Sequence, residues 1–295
     1  MHIYKSRFLV RGEVWYDQEP DQTPVDWVLY RQRSRPVSGA SWDYFYTIVL
    51  DLRQSSQGLL GTISKSAVYK IRRAAERDGI VCECHSRANL GDLDWFERAY
   101  ARFAEMKGLD SLDRPLLSQL AKEGFLEISV AKDAHGKPWV HHLYYRSRHR
   151  SCLMHCVSLY QEVAESSARN AIGRANRYLF WNDVLRHKEQ GLETFDFGGW
   201  YPGRTNQALL NINRFKEEFG GKIKREYNCR EIRSLKGWIV LRTAKIMGYA
   251  NQMSTRLKAD KGPFSAQTLP GMGGPPPKVP FSAGSVVEGT LETVK

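Results

Sequence analysis

The stretch that decides the fold is TFDFGGWYPGRTNQALLNINRFKEEFGG, residues 194–221. Phe195 and Phe197 alternate with Asp196, and this two-residue period predicts a short strand that runs into a glycine pair. A loop containing Trp, Tyr, Pro and Arg follows, and the next residues predict a helix that ends at a second glycine pair. The stretch therefore predicts a strand, a constrained loop and a helix in succession.

Lys216 stands in this helix between two aromatic residues. Phe215 and Phe219 are four positions apart and share one face of the helix, which anchors it. Lys216 lies one position after Phe215, about 100° around the helix axis, so its ammonium group can leave the helix toward a cleft. The alternative is a surface lysine that pairs with Glu217 or Glu218.

The rest of the chain predicts an α/β (α+β) architecture. Ser64 or Ser66 is expected to cap the first helix, and Asp92 the second. The order of elements over residues 64–228 predicts a mixed, mostly antiparallel sheet flanked by helices. Strands are predicted at 7–16, 27–33, 45–52, 80–85, 125–132, 139–146, 151–159, 194–197 and 222–227. Helices are predicted at 64–79, 91–108, 114–122, 167–190 and 236–258, besides the one that carries Lys216.

Composition restricts the possible partners. The 295 residues are 42% hydrophobic, enough for an ordinary core, and they carry a formal net charge of +12. This excess favours an anionic partner: nucleic acid, an anionic membrane surface or a phosphate-bearing substrate. A basic protein without such a partner is the alternative.

The location and redox state follow from what the sequence contains. The amino terminus lacks the apolar segment of a secretory signal, and no stretch reaches the roughly 18 continuous apolar residues of a membrane span. We expect a cytoplasmic protein, with association with the inner face of the membrane left open. The cysteine spacings do not form a usual zinc pattern, so we expect free thiols and no metal site. The cysteines are Cys82, Cys84, Cys152, Cys156 and Cys229.

Composition also divides the chain. No acidic residue occurs between Glu231 and Asp260, so a helix there can lie on an anionic membrane surface. The alternative is a helix packed on the domain with a solvated basic face. The expected divisions are a β-rich segment at 1–60, the main domain at 61–230, a basic amphipathic helix at 231–260 and a disordered Gly/Pro-rich tail at 261–295.

Two phrases carry a resemblance to a known family. Residues 46–83 read YTIVLDLRQSSQGLLGTISKSAVYKIRRAAERDGIVCE, and residues 175–199 read ANRYLFWNDVLRHKEQGLETFDFGG, followed by FKEEFGG at 215–221. Over residues 46–228 the chain resembles the transferase domain of the Fem-type (FemAB-like) N-acyltransferases of the GNAT superfamily. The two spaced motifs, FDFGG and FKxxFGG, are the specific part of this resemblance.

The resemblance implies a GNAT-like acyl-CoA N-acyltransferase fold and transfer of an acyl group to an amine. Some members draw on acyl-CoA, and those that form peptidoglycan branches draw on aminoacyl-tRNA. Only a short segment precedes the first matched phrase here, and no segment matches the helical arm of the tRNA-using members. Acyl-CoA is therefore the expected cosubstrate, and no permanently bound cofactor is expected.

The resemblance also implies roles for particular residues. The lysine that matches Lys216 in tRNA-using relatives acts at the reacting carbonyl or the donor phosphates, so the same role is expected of Lys216. Asp196 is expected to bind loop amides and hold the turn, or alternatively to accept the proton of the amine. Residues expected to contact the substrate are Gly198, Gly199, Trp200, Tyr201, Arg204 and Phe215.

A donor site is predicted on the long helix at 167–190. GNAT enzymes bind the CoA pyrophosphate at a helix start, with the pattern Arg or Gln, two residues, Gly, one residue, Gly or Ala. Residues 168–176, ARNAIGRAN, match this spacing with Asn at the first position. The expected donor-binding residues are Arg169, Asn170, Gly173 and Arg174.

Three histidines lie in predicted strands. For His141, His142 and His155 a core or cleft-lining role is expected, and His155 is the candidate catalytic base.

Three functions remain open at the level of sequence. The first is an acyl-CoA-dependent N-acyltransferase that acts on an amine of a cell-envelope or polysaccharide precursor, with a lipid-linked acceptor as one form. The second is an aminoacyl-tRNA-dependent peptidyltransferase. The third is an inactive binding module that docks on nucleic acid or membrane.

Overall fold

The centre of the molecule is a sheet of ten strands. The computed structural model describes residues 1–243, so most of the predicted helix at 236–258 and the whole tail at 261–295 lie outside the described residues. The strands are β1 His2–Ser6, β2 Leu9–Trp15, β3 Trp27–Arg33, β4 Ser41–Asp51, β5 Val81–Ser86, β6 Leu126–Lys132, β7 Pro138–Arg146, β8 Arg150–Ser158, β9 Thr194–Gly199 and β10 Lys222–Ile232. The helices are α1 Ser56–Thr62, α2 Lys65–Glu76, α3 Leu90–Lys107, α4 Arg114–Lys122, α5 Ser166–Glu189, α6 Gln207–Glu217 and α7 at 235–243.

The strand order is β1-β2-β3-β10-β4-β9-β8-β7-β6-β5. The neighbours β2 and β3 are parallel, as are β8 and β9, and the other neighbours are antiparallel. The expected mixed, mostly antiparallel sheet flanked by helices is therefore confirmed. Strand β10 enters the middle of the sheet, where Gly221, with a φ of 97°, passes close to the carbonyl of Val49.

Sequence reasoning missed two short elements and misplaced one cap, each for a physical reason. The strand predicted at 7–16 is present as β2, but it is the second half of a hairpin whose first strand, β1, was missed; Arg7 turns the chain between them at positive φ. Helix α1 was missed because it has only seven residues and contains two glycines. Asn89, not Asp92, caps α3, since Asp92 occupies the third helical position of a capping box.

Helices cover both faces of the sheet. Helices α3 and α4 pack on one face through residues such as Phe96 and Leu117. Helices α1, α2, α5 and α6 cover the other face, where Phe180 of α5 meets the phenylalanines of β9 and α6. The expected cap of α2 is confirmed, because the Ser64 side chain accepts a hydrogen bond from the Ala67 amide.

The sheet curls over the face that carries α3 and α4. Five strands separate β2 from β7 in the sheet, yet Trp15 of β2 stacks on Tyr145 of β7 with ring centroids 4.1 Å apart. His2 of β1 also lies 3.1 Å from the Tyr145 hydroxyl through Nε2. The amino-terminal strands therefore close over this face and exclude water from the space between.

A buried cluster of charges lies under the curled sheet. Arg150 of β8 donates two hydrogen bonds to Asp196 of β9, at 3.1 and 2.5 Å, and two to Glu226 of β10, at 2.7 and 2.9 Å. Asp196 and Glu226 are almost fully buried, and Arg150 is 8% exposed. The guanidinium carbon also lies 4.6 Å from the ring centroid of Tyr16. This cluster ties three strands of the sheet together through one side chain.

We predict that Arg150→Met lowers the free energy of unfolding by about 3–5 kcal/mol, because it removes the cation that binds both buried carboxylates and leaves only the half-exposed Lys224 at Glu226. Arg53→Met is the matched control, since Arg53 and its partner Asp51 are largely solvent-exposed. Urea unfolding at pH 7 measures both variants. A small loss for Arg150→Met, equal to that of the control, would contradict the structural role of this cluster.

Candidate active site

Strands β8 and β9 run parallel and are joined at one end only. Residues 150–152 pair with residues 194–196, and within the described chain no further pair follows. Strand β8 continues to Ser158 with β7 as its strand neighbour, whereas β9 ends at Gly199. Helix α5 links the carboxyl end of β8 to the amino end of β9. Since open sheets bind ligands at the carboxyl ends of separating strands, this divergence is the candidate site.

Gly198 marks the point where the two strands separate. Its φ is 70°, and an added Cβ would lie 2.5 Å from the Leu153 carbonyl oxygen of β8. A side chain at this position would push β9 away from β8. The first glycine of the pair is thus required by both backbone conformation and space.

Lys216 of α6 reaches this bend. Its Nζ donates to the carbonyl oxygens of Gly198 at 3.2 Å and Gly199 at 2.5 Å, and the residue is only 4% exposed. Burial lowers the pKa of Lys216 to about 8, although the nearby Asp196 and two thiols act in the opposite direction. The alternative of a surface lysine paired with Glu218 does not describe this geometry, since Glu218 pairs with an arginine of α5.

Asp196 lies on the opposite side of β9, under the curled sheet. Besides Arg150, it accepts hydrogen bonds from Gln32 at 2.7 Å, from the Thr47 hydroxyl and from the Gly198 amide at 2.8 Å. Burial alone raises the pKa of Asp196, but Arg150 and these donors outweigh it, and the net pKa is lowered. The ionised Asp196 carboxylate thus accepts a hydrogen bond from the Gly198 amide, which is the contact expected of a residue that holds the turn.

The loop after β9 is fixed to α6 by a residue that sequence reasoning did not single out. Asn213 accepts a hydrogen bond from the Tyr201 amide at 3.1 Å and donates to the Tyr201 carbonyl at 2.8 Å. The Trp200 amide donates to the Tyr46 carbonyl of β4. Phe215 packs against α5, and Arg204 is exposed. The expected substrate-contact residues therefore do gather around the bend, with Arg204 at the solvent side.

His155 does not join this group. Its ring packs on α3, 5.1 Å from the ring of Tyr100 and 6.5 Å from that of Phe96, on the sheet face opposite to α6. Burial lowers the pKa of His155 to about 4, so its imidazole is neutral at pH 7. The geometry places His155 in the packing against α3, apart from Lys216.

The donor-binding residues expected from the motif lie within α5. Helix α5 begins at Ser166, so the motif starts in the second turn, after the residues that have free amides. Arg174 pairs with Asp78 of the segment after α2, at 2.5 and 3.0 Å, and Arg169 donates to the Ala164 carbonyl at 2.7 Å. An added Cβ on Gly173 would meet only the end of the Arg177 side chain, at 3.9 Å, and Asn170 is exposed. Of these residues, Arg169 is the one near the helix start.

Other residues of the site gave no signal in the sequence. Arg150 follows a polar turn and has the appearance of a surface arginine, yet it neutralises Asp196 across the sheet. Gln32 and Thr47 come from strands that are distant in sequence. Only the strand order brings these side chains together, and the strand order is not readable from local patterns.

Two general features of the described residues bear on the chemistry. Within residues 1–243 no group of three or more His, Cys, Asp or Glu side chains is arranged to hold a metal ion. The helices of this part of the chain are too short or too polar to cross a membrane.

Comparison with known proteins identifies the fold. No protein-family model and no curated protein matches the chain. The solved structure of FemX superposes with a TM-score of 0.51 at 14% identity, covering 72% of this chain and 63% of FemX. The C-terminal domain of a putative lysylphosphatidylglycerol synthetase from Agrobacterium fabrum superposes with a TM-score of 0.52 at 14% identity, covering 83% of this chain and 85% of that domain.

The chain has the fold of the Fem-type, GNAT-like acyltransferases. The expected GNAT-like fold is thereby confirmed. The chain spans less than two thirds of the FemX chain, and at this level of identity the similarity concerns the GNAT-like fold.

We predict that burial of the Lys216 ammonium makes stability depend on pH. Between pH 8 and the ordinary lysine value of 10.5, the unfolded chain holds a proton that the folded chain has lost. The free energy of unfolding of the wild type therefore rises across this window, by about 3 kcal/mol relative to Lys216→Met. Urea unfolding of both proteins at pH 7.5, 9 and 10.5 measures the difference.

The control for this prediction is Lys65→Met, because Lys65 is an exposed lysine at the start of α2. The free energy of unfolding of Lys65→Met should differ from that of the wild type by the same amount throughout this pH window. If the difference between Lys216→Met and the wild type were also constant, the Lys216 ammonium would be solvated and would not lie at the bend.

Two glycines of the predicted site should respond in opposite directions to alanine. Gly198→Ala should lower the free energy of unfolding by about 1–3 kcal/mol, because it adds a side chain at positive φ against the Leu153 carbonyl. Gly173→Ala should raise it by about 0.5–1 kcal/mol, because Gly173 lies inside α5 with space for a methyl group. Thermal and urea unfolding check both values, and a destabilised Gly173→Ala would mean that the α5 backbone is more crowded than the structure shows.

Proposed function

We propose that the protein is an N-acyltransferase that moves an acyl group from acyl-CoA to an amine. The observation that carries this proposal is the divergence of β8 and β9, with α5 starting at its open end and the Lys216 ammonium at its bend. In this arrangement an extended donor would pair along one side with the free edge of β8, and its phosphates would bind at the start of α5.

The donor would lie along β8. Residues 153–158 of β8 pair with β7 on one edge and have no pairing with β9 on the other. An extended chain with amide groups, such as pantetheine, can add to a free strand edge as a further strand. The first amides of α5 lack a side-chain cap, and Arg169 lies near them, so the pyrophosphate of CoA has a suitable position there.

The chemistry requires three things from the site. The attacking amine must lose a proton, the carbonyl oxygen must be stabilised as it becomes negative, and the donor must be held in place. Backbone amides at the free edge of β8 supply donors for the developing oxyanion. Lys216 fixes the bend through two carbonyls and adds positive charge beside the reacting carbonyl, and Asp196 holds the turn from the other face.

The acceptor is proposed to be an amine on a cell-envelope or polysaccharide precursor, which can be lipid-linked. The net charge of +12 suits an acceptor that carries phosphate, and it suits association with an anionic membrane surface on the cytoplasmic side. One structural neighbour is the C-terminal domain of a putative lysylphosphatidylglycerol synthetase, and the name of that protein gives a lipid as its product.

An aminoacyl-tRNA-dependent transferase is the second candidate. The same positive charge favours it, because tRNA is the most highly charged donor considered. The two donors make different demands on the site: tRNA needs contacts to many phosphates over a wide surface, whereas CoA needs a few phosphates at the α5 start.

Thermal unfolding with candidate donors tests the proposal. Acetyl-CoA should raise the Tm in a saturable way, and acetyl-pantetheine, which lacks the nucleotide phosphates, should raise it less. Arg169→Ala should weaken acetyl-CoA binding about tenfold and leave acetyl-pantetheine binding unchanged, whereas Arg53→Ala, far from the α5 start, should alter neither.

The alternatives have distinct results. Stabilisation by charged tRNA that falls steeply with salt, with no effect of acyl-CoA, would replace the first donor by the second. Stabilisation by neither donor, together with unchanged envelope precursors by mass spectrometry in cells that lack the protein, would favour an inactive binding module.

A further inference from the structure

A cysteine stands in the wall of the groove between β8 and β9. Cys156 lies on the stretch of β8 that has no β9 partner, and its half-buried thiol faces α5 and α6. His142 of β7 is directly opposite Cys156 in the antiparallel pairing. Because directly opposed residues have Cβ atoms about 4.5–5.5 Å apart on one face, the imidazole and the thiol are neighbours.

The imidazole of His142 is held by a fully buried carboxylate. Its Nδ1 lies 2.8 Å from Oδ2 of Asp183, and the Tyr144 hydroxyl donates to the same oxygen at 2.7 Å. Its Nε2 lies 2.9 Å from Oδ1 of Asn176, and the Cys156 Sγ lies 3.9 Å from that same oxygen. The thiol, the imidazole and the carboxylate therefore lie in sequence across β8, β7 and α5, with the thiol and the imidazole joined through the amide oxygen of Asn176.

The electrostatic surroundings favour a proton on the imidazole. Burial alone lowers the pKa of His142, but the neighbouring Cys156 and Asp183 outweigh it and raise the pKa to about 10. The Lys216 ammonium of α6 also interacts with Cys156. Two cationic side chains therefore act on the Cys156 thiol.

The other four thiols of the chain lie in surroundings that disfavour a thiolate. Burial raises the pKa of each of them. The pKa is raised to about 12 for Cys82 and about 11 for Cys84, and it is also raised for Cys152 and Cys229.

We propose that Cys156 is a nucleophile that takes the acyl group from the thioester donor and then passes it to the amine. This proposal rests on the proposed acyltransferase function and adds a covalent intermediate to it. The geometry that carries it is the series Cys156, His142 and Asp183 in the wall of the groove where the donor would lie.

The two steps balance in atoms and charge. The Cys156 thiolate attacks the donor carbonyl, the new S–C bond replaces the C–S bond to CoA, and the leaving CoA thiolate takes the proton of the His142 imidazolium. The acceptor amine then attacks the Cys156 thioester, and neutral His142 accepts the amine proton as the amide forms. This restores the thiolate–imidazolium pair, and no oxidant or reductant is needed. Asp183 acts as a positioning residue that holds the imidazole.

The charged and titratable groups around the pair come from three elements. They are Asp183 of α5, which binds His142 and also pairs with Arg186, Lys216 of α6, and Tyr144 of β7. His141 of β7 packs against α3 on the other face of the sheet.

The first test is the rate of alkylation of the full-length protein by iodoacetamide, measured by peptide mass spectrometry from pH 5.5 to 9. At pH 7, Cys156 should react at least ~10-fold faster than Cys84, the half-buried internal control, because His142 lies beside the Cys156 thiol. Asp183→Asn should slow the reaction of Cys156 over the whole pH range and leave that of Cys84 unchanged. A Cys156 rate no greater than that of Cys84 would overturn the proposal.

The second test is direct detection of the intermediate. Wild-type protein incubated with acetyl-CoA and no amine should gain one acetyl group, labile to hydroxylamine and located on the Cys156 peptide. Cys156→Ser should lose this adduct and at least ~100-fold of the turnover, whereas Cys84→Ser should retain both.

The two levels of the argument fail differently. If Cys156→Ser turned over acetyl-CoA at a rate within twofold of the wild type, the covalent step would be overturned and the acyltransferase function would remain. A wild type that neither binds nor consumes acyl-CoA would contradict the donor proposed for the site, and failure to acylate Cys156 would overturn the nucleophile even if the thiolate were found by alkylation.

Discussion

The candidate site depends on one buried ionic contact, the guanidinium of Arg150 between the carboxylates of Asp196 and Glu226. It lies at the end where β8 and β9 are paired, and it joins both strands to β10. Loss of Arg150 would remove the cation that binds both buried carboxylates, which is far more costly than the contact is favourable. The joined end is therefore fixed, and the separation of the two strands begins at a defined residue, Gly198.

The other face of the sheet is fixed in a similar way. There Asp183 and Glu127 bind His142, His187 and Arg186 between α5 and the sheet. Because buried polar groups must keep their partners, α5 cannot rotate or slide without breaking several of these contacts. A groove with two ionic clusters behind its walls keeps its width, which is what preorganised stabilisation of a transition state requires.

Sequence reasoning predicted those elements of the site that depend on residues close together in the chain. The period of Phe195 and Phe197, the glycine pairs and the FKEEFGG helix predicted the elements around the bend and directed attention to Lys216. Contacts between distant residues were out of reach: Trp15 on Tyr145 depends on the curl of the whole sheet, and the partners of Asp196 come from three other strands. The donor motif illustrates the limit, since its spacing was found but its depth inside α5 depends on where the helix starts.

The arrangement of charge around the bend explains why a lysine, and not an arginine or a neutral residue, stands in α6 at this point. The two carbonyls of the glycine pair accept from a single compact ammonium, whereas a guanidinium presents its donors in a planar fork. Burial brings the pKa of this ammonium to about 8, close to neutral pH, whereas an arginine would stay charged at every relevant pH. Lys216 can therefore hold the bend as a cation and still respond to a negative charge that forms or disappears at Cys156, because the ammonium interacts with that thiol.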